Sequence, residues 1–384
     1  MGDGGEPPGR SQGEQRRSAQ RGGFAMSRTA LVMAGGTGGH IFPGLAVAQA
    51  LRERGWTVRW LGGRGSAERP SMESRIVPAQ GFAFETLDFG GVRGKGPLTL
   101  ALLPLRLLRA FWQSIQVLRR VRPHVVVGLG GYITFPAGMM GVLLGRPLVL
   151  HEQNAVAGMA NRVLAGVADR VFSAFPNVLG KARWIGNPLR AGFIDRPTPQ
   201  ARFAQRSGPL HLLVVGGSLG AQVLNDTVPR AMALLALEAR PRVTHQSGAA
   251  HIDALRAAYA AAGVQAELTP FIDDTAQAFA DADMVLCRAG ASTVTELAAI
   301  GAAAVFVPLP SAVDDHQSSN ARFLVDQGAG WLLPQSELTA QRLAQIVRET
   351  SRAQLLACAV KARALAKTGA VAELVAACEA LAHA

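Results

Sequence analysis

Two glycine-rich loops, each following a run of apolar residues, constrain the fold of this chain most strongly. The run at 30–34 leads into GGTGGH (35–40), and the run at 211–215 leads into GGSLGA (216–221), about 180 residues later. A strand that ends in glycines and opens a helix exposes backbone N–H groups that bind anions. Two such loops predict two facing α/β domains with a phosphorylated ligand in the cleft between them.

Apolar strand-like segments alternate with helical patterns along the whole chain, which is typical of βαβ units and parallel sheets. A helix is predicted near 42–54. Strands are predicted at 29–34, 56–61, 124–127, 147–150, 169–172, 211–215, 241–245, 266–271, 283–287 and 303–307. The domain prediction is a disordered extension (1–25), an N-terminal domain (26–190), a linker (191–209), a C-terminal domain (210–365) and a C-terminal helix (366–384).

The charge and the residue composition of the chain limit the classes of macromolecule that it is expected to bind. The net charge of +12 admits nucleic acid or an anionic membrane, but tyrosine occurs only twice and no basic run is interleaved with aromatic residues. This pattern disfavours nucleic acid, because single strands need stacking platforms. Three scattered cysteines indicate a reducing compartment rather than a disulfide framework. The uncharged span 123–145 contains glycines and prolines and is interpreted as strand, loop and helix, not as a membrane span.

The loop sequences disfavour two common nucleotide sites, because neither GxGxxG spacing after the first strand nor GxxxxGK[ST] is present. His40 follows the first loop and is a candidate general base or anion ligand, although a packing or capping histidine is equally consistent with the spacing. Ser218 is a candidate phosphate-binding hydroxyl, since the GxSxG pattern of hydrolase nucleophiles is absent. Gln153 and Asn154 end an apolar strand and are interpreted as hydrogen-bonding anchors.

Glu296 has two interpretations that the local sequence does not separate. In RAGASTVTEL (288–297), Ser292 or Thr293 is a candidate helix cap, and Thr293 with Glu296 fits a capping box. Alternatively, the Glu296 carboxylate accepts hydrogen bonds from ribose hydroxyls, and Gly290 and Ala291 leave room for a diphosphate at the helix N-terminus.

A basic, apolar stretch covers 92–122. It carries no acidic residue, and its leucines, Phe111 and Trp112 outnumber what one buried face requires. Such a segment is typical of a helix that lies on an anionic membrane surface, with a core-packing helix and solvated arginines as the alternative. Its basic residues are Arg93, Lys95, Arg106, Arg109, Arg119, Arg120 and Arg122.

From Met26, a candidate start, to its end, the chain resembles the MurG family of membrane-associated N-acetylglucosaminyltransferases. Eight motifs carry the resemblance in order: GGTGGHIFPGLAVA (35–48), GLGGY (128–132), HEQNAVAGMANR (151–162), GNPLR (186–190), GGSLGAQVLN (216–225), FIDD (271–274), RAGASTVTELAA (288–299) and DDHQ (314–317). The resemblance implies a GT-B fold, in which two Rossmann-like domains with parallel sheets face each other across a cleft. It implies UDP-GlcNAc as donor, held mainly by the C-terminal domain, and lipid I as acceptor, held by the N-terminal domain.

The resemblance also assigns expected roles to residues. Ser218 would hold the diphosphate, the Ile272 backbone would meet uracil, and Glu296 would bind ribose. The remaining donor-site residues would be Thr37, Gly38, Gly39, Asn154, Arg190, Ala291, Ser292, Thr293, Val294, Thr295 and Gln317. Tyr132 and Glu152 also lie in family motifs. Leu219 and His316 occupy positions where the family often has glutamine, which places sugar contacts in question.

The expected reaction is inverting transfer of GlcNAc to the 4-hydroxyl of the MurNAc-pentapeptide of lipid I, giving lipid II. His40 is the first candidate for the base and Glu152 the second, and neither a metal ion nor a cofactor is expected. The expected location is the cytoplasmic face of the bacterial inner membrane, as a peripheral protein. A UDP-GlcNAc 2-epimerase and a non-catalytic nucleotide- or lipid-binding protein are the alternatives.

Overall fold

Two parallel sheets organise the protein. The structure is a computed structural model that describes residues 28–66, 70–90, 101–217, 220–310 and 315–383. The strands of the first sheet are β1 (Thr29–Met33), β2 (Thr57–Gly63), β3 (Ala83–Leu87), β4 (Val125–Gly128), β5 (Leu148–Glu152), β6 (Arg170–Ser173) and β7 (Arg183–Trp184). Those of the second sheet are β8 (His211–Val215), β9 (Arg242–Gln246), β10 (Glu267–Thr269), β11 (Met284–Cys287), β12 (Ala304–Phe306) and β13 (Trp331–Leu332).

The strand orders are those of two doubly wound sheets. The first sheet runs β3-β2-β1-β4-β5-β6-β7 and the second β10-β9-β8-β11-β12-β13, with every described pair parallel. In both sheets the order reverses beside the central strand, β1 or β8, and ligands bind beyond the carboxyl ends of strands at such a switch point. The predicted α/β architecture of two Rossmann-like domains is confirmed.

Helices cover both faces of each sheet. The N-terminal set is α1 (Gly38–Glu53), α2 (Met72–Ala79), α3 (Leu103–Val121), α4 (Thr134–Leu143) and α5 (Met159–Leu164). The others are α6 (Ala191–Ile194), α7 (Pro199–Ala204), α8 (Gln222–Ala233), α9 (Ile252–Ala261), α10 (Thr275–Asp281), α11 (Ala291–Ile300), α12 (His316–Val325), α13 (Ala340–Glu349), α14 (Arg352–Ala364) and α15 (Ala370–Leu381). Because both faces are covered, the central strands are continuous apolar runs, and residues 30–33 of β1 have no exposed surface.

Sequence patterns located most strands to within one or two residues but missed β3, β7 and β13. β3 reads AFETL and lies at a sheet edge, while β7 and β13 have only two residues each, so none carries a strong apolar signal. Helix α1 begins at Gly38, four residues before the predicted start, because its first turn is rich in glycine and does not look helical. The span 123–145 does contain a strand, a loop and a helix, β4 and α4, and among described helices none is long and apolar enough to cross a membrane.

Two segments connect the sheets. The predicted linker 191–209 contains α6 and α7, and Phe193 of α6 packs against Phe279 of α10 with ring centroids 6.3 Å apart. Helix α15 then returns to the first sheet, where Leu374 joins the cluster of buried residues that includes β1 and β4. An ion pair of 2.9 Å between Arg54 and Glu379 fastens α15 to the end of α1. The chain therefore crosses between the two sheets twice, and the predicted domain boundaries stay a prediction.

Candidate active site

The first glycine loop presents the N-terminus of α1 to the cleft. Gly36 has a φ of +93°, a conformation that favours glycine, and Thr37 is the extended N-cap residue without a side-chain cap. Among described residues, the N–H groups of Gly38 and Gly39 have no hydrogen-bond acceptor. Together with the helix dipole, these free N–H groups favour the binding of an anion at this position.

The second glycine loop follows β8 and precedes α8. Gly217 and Gly220 have φ values of +88° and +77°, and a Cβ atom on Gly220 would lie 1.9 Å from the Ser247 carbonyl oxygen. Any side chain at Gly220 would clash with this oxygen, so the close contact between the loop backbone and Ser247 requires glycine. The Nε2 atom of Gln246 donates to the carbonyl oxygens of Gly217 (3.0 Å) and Pro270 (3.2 Å), which ties this loop to the segment before Ile272. Ser218 and Leu219 lie outside the described residues.

Helix α11 places a second helix N-terminus opposite the first. Gly290 is its N-cap residue, so Ser292 and Thr293 lie inside the helix and the predicted cap at either position is wrong. A Cβ atom on Gly39 would lie 4.0 Å from the Ser292 hydroxyl, which is buried and has no partner among described residues. The N-termini of α1 and α11 therefore meet across the cleft, and their partial positive charges add at the same place.

Glu296 lies in the second turn of α11 and makes no capping box, since helix geometry puts Thr293 rather than Glu296 at the third helical position. Within the described part of the chain, its carboxylate accepts no hydrogen bond. Burial raises the pKa of Glu296 to about 7, and the positive charge of Arg190 opposes this rise. A desolvated carboxyl group without a partner is a candidate acceptor for ligand hydroxyls.

His40 borders a cavity of about 230 Å3 between the domains. Its Nδ1 atom lies 3.4 Å from the Thr37 hydroxyl, and its ring packs against Gly130, where a Cβ atom would lie 2.9 Å from Nε2. Burial lowers the pKa of His40, whereas the nearby Glu152 raises it. The imidazole is therefore neutral at neutral pH and able to accept a proton. The cavity is lined by His40, Gly130, Gly131, Tyr132, Glu152, Asn154, Val156, Ala157, Gly158, Met159, Ala160, Asn161 and His316.

Glu152 organises the wall of this cavity. One carboxylate oxygen accepts from the backbone and side-chain N–H groups of Asn154, at 2.9 and 3.3 Å. The other accepts from the Gly158 backbone at 3.1 Å and the Asn161 side chain at 2.8 Å. With four donors on two oxygens, the carboxylate is saturated. This geometry favours His40 over Glu152 as the proton acceptor, with Glu152 as a negative charge that stabilises the imidazolium.

Two buried asparagines join the domains at the floor of the cleft. The Oδ1 atom of Asn320, in α12, accepts from the Ala155 N–H at 2.8 Å, while its Nδ2 atom donates to the Ala289 carbonyl at 3.2 Å. The Nδ2 atom of Asn187 donates to the Thr295 hydroxyl at 3.2 Å. These bonds fix the HEQN strand end relative to the N-terminus of α11.

The remaining expected donor-site residues lie on the second domain or beside it. The Gln317 side-chain oxygen accepts from the backbones of Ala289 (3.3 Å) and Leu309 (3.0 Å), which leaves its Nε2 atom as a donor. The Ile272 carbonyl oxygen accepts from the Thr275 hydroxyl at 3.4 Å. Arg190 is exposed at the entrance to α6 and its guanidinium stacks on Phe42 and Phe193, 5.6 and 5.0 Å from the ring centroids.

Sequence reasoning missed three residues of this region: Glu73, Asn187 and Asn320. Asn187 lies in the GNPLR motif, but the sequence analysis predicted no role for this residue. Asn320 follows DDHQ by three residues, and no local signal distinguishes it from a surface asparagine. Glu73 is fully buried beside the first glycine loop although it lies in a short helix that reads as a surface element.

The outer surface of the first domain carries an exposed apolar patch. Ala110, Ser114, Val117 and Leu118 form the buried face of α3, whereas Leu105, Leu108 and Trp112 are 65%, 63% and 61% exposed. Leu107, on the same helix, is half-buried. Arg93 and Lys95 lie outside the described residues. Further exposed apolar residues lie on α4, which packs against α3, and on α5, which packs against α4: Leu143, Met159 and Val163.

Comparison with known proteins identifies the chain's family. The family described as glycosyltransferase family 28 N-terminal domain matches residues 30–173, and the family 28 C-terminal domain matches 211–374. A UDP-N-acetylglucosamine–N-acetylmuramyl-(pentapeptide) pyrophosphoryl-undecaprenol N-acetylglucosamine transferase of Polaromonas sp. is 73% identical over 93% of this chain and 92% of its own length. A protein of the same name from Polaromonas naphthalenivorans is 70% identical over 94% of this chain and 100% of its own.

A solved structure agrees with these relatives. The crystal structure of Acinetobacter baumannii MurG superposes with a TM-score of 0.80 and 38% identity, covering 92% of this chain and 99% of that chain. The glycine loops, the facing helix N-termini and the His40 cavity therefore belong to a GT-B glycosyltransferase. The chain is a member of glycosyltransferase family 28 and, within it, of the MurG family of N-acetylglucosaminyltransferases.

Proposed function

We propose that this protein transfers GlcNAc from UDP-GlcNAc to the 4-hydroxyl of the MurNAc-pentapeptide of undecaprenyl-linked lipid I, with inversion, giving lipid II. The observation that carries the proposal is the meeting of the α1 and α11 N-termini beside the His40 cavity. A diphosphate leaving group needs positive potential, and an attacking hydroxyl needs a base. The site offers both in one cleft, and the relatives are named for this transfer.

The donor is proposed to lie across the N-terminus of α11. Ser218 and residues Ala291–Thr295 would hold the diphosphate and nucleotide, and the Ile272 backbone would meet the uracil ring. Glu296 would accept hydrogen bonds from the ribose hydroxyls, since no described residue occupies its carboxylate. Gln317 would offer its Nε2 donor to the sugar hydroxyls, because its oxygen is already bound by two backbone N–H groups.

Residues of the first domain are proposed to complete this site from across the cleft. The free N–H groups of Gly38 and Gly39, with Thr37, would face the diphosphate and the sugar. Arg190 adds a positive charge near Glu296. Asn154 is oriented by its two bonds to Glu152 and lines the cavity in which the acceptor sugar would sit.

In the proposed reaction, His40 accepts the proton of the acceptor hydroxyl while the hydroxyl oxygen bonds to the anomeric carbon and the bond from that carbon to UDP breaks on the opposite face. The neutral resting imidazole follows from its burial. The negative charge of Glu152 then stabilises the imidazolium as it forms. The dipoles of α1 and α11 stabilise the charge that develops on UDP.

The exposed apolar patch is proposed to bind the cytoplasmic face of the inner membrane. Leu105, Leu108 and Trp112 would enter the interface, with Arg106 and Arg109 at the lipid headgroups. Residues 26–190 would then present the acceptor-binding half to the bilayer, where an isoprenoid-linked acceptor is confined. Residues 210–365 would bind the donor.

The test is incubation of the purified protein with radiolabelled UDP-GlcNAc, with and without a lipid I analogue. Label that enters a lipid-soluble product only with acceptor supports the proposal. UDP-ManNAc formed without acceptor would indicate a 2-epimerase instead. Bound UDP-GlcNAc without turnover in either condition would indicate a binding protein.

A further inference from the structure

A buried carboxylate lies beneath the first glycine loop. Glu73 of α2 has no exposed surface, and its two oxygens accept from different elements. Oε2 accepts from the Gly36 N–H at 3.3 Å, and Oε1 accepts from the Gly63 N–H, at the end of β2, at 3.2 Å. Glu73 thus joins the loop before α1 to the carboxyl end of the neighbouring strand.

The fit around this carboxylate leaves no room for side chains. A Cβ atom on Gly35 would lie 2.6 Å from Oε1 of Glu73, and one on Gly63 would lie 2.7 Å from the Tyr132 hydroxyl. The conformation of the glycine loop and the position of the Glu73 carboxylate therefore depend on each other. Any displacement of Glu73 moves the backbone that leads directly into Gly38, Gly39 and His40.

Within the described residues, the Glu73 carboxylate has no ion-pair partner. A buried charge without such a partner is costly. A negative charge beneath an anion-binding loop also opposes binding of a diphosphate. It favours instead a positive charge nearby, and the group in this region that gains one during the proposed reaction is His40.

We propose that Glu73 is a positioning residue for the transfer reaction, which fixes the first glycine loop and favours proton uptake by His40. The inference rests on the proposed function. The groups that face His40 are Glu152 on β5, Glu73 on α2, His316 on α12 and the Gly35 backbone. Burial and His316 lower the pKa of His40, whereas Glu152, the Gly35 backbone and Glu73 raise it. Tyr132 faces Glu73 as well, and burial and this carboxylate raise the pKa of its hydroxyl.

The test compares pH profiles of transfer for the full-length wild type, Glu73→Gln and Glu73→Asp. Gln removes the charge and keeps one acceptor oxygen, so one of the two backbone N–H groups loses its acceptor. We expect the acidic limb of kcat/KM to move to lower pH, because the charge that raises the pKa of His40 is gone. We expect kcat at the optimum to fall about tenfold through misplacement of the loop. Asp keeps the charge but is shorter, so kcat should fall while the limb stays in place.

Glu53→Gln is the matched control, since it removes an exposed carboxylate from the same helix as His40 but about 20 Å along it. Glu53→Gln should have the same acidic limb of kcat/KM and the same kcat as the wild type. Wild-type protein that transfers no label refutes the proposed function. Wild-type transfer together with a folded Glu73→Gln variant whose acidic limb is unmoved overturns only the inference about Glu73. If circular dichroism shows Glu73→Gln unfolded, Glu73→Asp decides: lower kcat with the wild-type limb supports the inference, and unchanged kcat overturns it.

Discussion

Replacement of Glu296 by glutamine should make the unliganded protein more stable and the nucleotide complex weaker. The pKa of Glu296 is raised from 4.5 to about 7 by burial, so the folded protein holds this proton more tightly than the unfolded chain. The resulting stabilisation is complete below about pH 4.5 and is lost as the pH rises towards about 7. At about 1.4 kcal/mol per pH unit the full effect is about 3 kcal/mol, and partial solvent access reduces it to about 1–2 kcal/mol.

Glutamine stays neutral at every pH, so the variant keeps its stability as the pH rises, whereas the wild type loses stability when Glu296 ionises. We expect Glu296→Gln to raise the free energy of unfolding at pH 8 by about 1–2 kcal/mol and to leave it unchanged at pH 4. Chemical denaturation of the apo protein at both pH values measures this. Glu337→Gln is the control, since Glu337 is an exposed carboxylate on the same domain, and it should change stability little at either pH. An equal effect of Glu296→Gln at pH 4 and pH 8 would contradict the linkage argument.

The same substitution tests the proposed ribose contact. A carboxylate that accepts hydroxyl hydrogen bonds contributes more than a neutral amide, so UDP should bind Glu296→Gln about ten- to a hundredfold more weakly at pH 8. In the wild type, affinity should rise from pH 6 to pH 8 as Glu296 loses its proton, and this rise should be absent in the variant. Calorimetric titration with UDP measures both. Equal affinities at pH 8 would refute a role for Glu296 in the nucleotide site.

Three further predictions concern separate parts of the molecule. His40→Ala should lower kcat by about 10²–10⁴ with UDP binding retained, and unchanged turnover would exclude His40 as the base. Changing Leu108 and Trp112 together to serine should move the protein from anionic vesicles to the supernatant in a sedimentation assay, whereas Leu237→Ser, an exposed leucine on the other domain, should not; unaltered partition would place the membrane contact elsewhere. Asn320→Ala should lower the free energy of unfolding by about 1–3 kcal/mol, since the Ala155 N–H at the domain interface loses its acceptor; wild-type stability would show that this bond is dispensable.

Local sequence patterns were sufficient for much of the fold. The strands beside the glycine loops are uninterrupted apolar runs because they are buried on both faces, and this property is visible in a short window. The edge strands β3, β7 and β13 were missed because their residues are few or partly polar. The capping interpretation of Thr293 and Glu296 failed because the spacing fits, yet the helix begins one turn earlier, at Ala291.

The sequence pattern around α3 predicted an excess of apolar residues but not which of them are exposed. Its excess of leucines was visible in sequence, but the division into Ala110 and Ser114 facing the core and Leu108 and Trp112 facing outwards depends on which face meets the sheet. Leu143 and Met159 are likewise exposed, on α4, which packs beside α3, and on α5, which packs beside α4.

The sequence alone therefore determined the two Rossmann-like domains, the family and most residues proposed for the donor site, since these depend on short motifs and on periodicity. The tertiary structure decided which distant groups meet. It brought Glu73 under the first glycine loop, joined Asn320 to the backbone of Ala155, and returned α15 to the first sheet. These contacts join segments of the chain that lie far apart in sequence, so their formation depends on topology and packing, which no local pattern records.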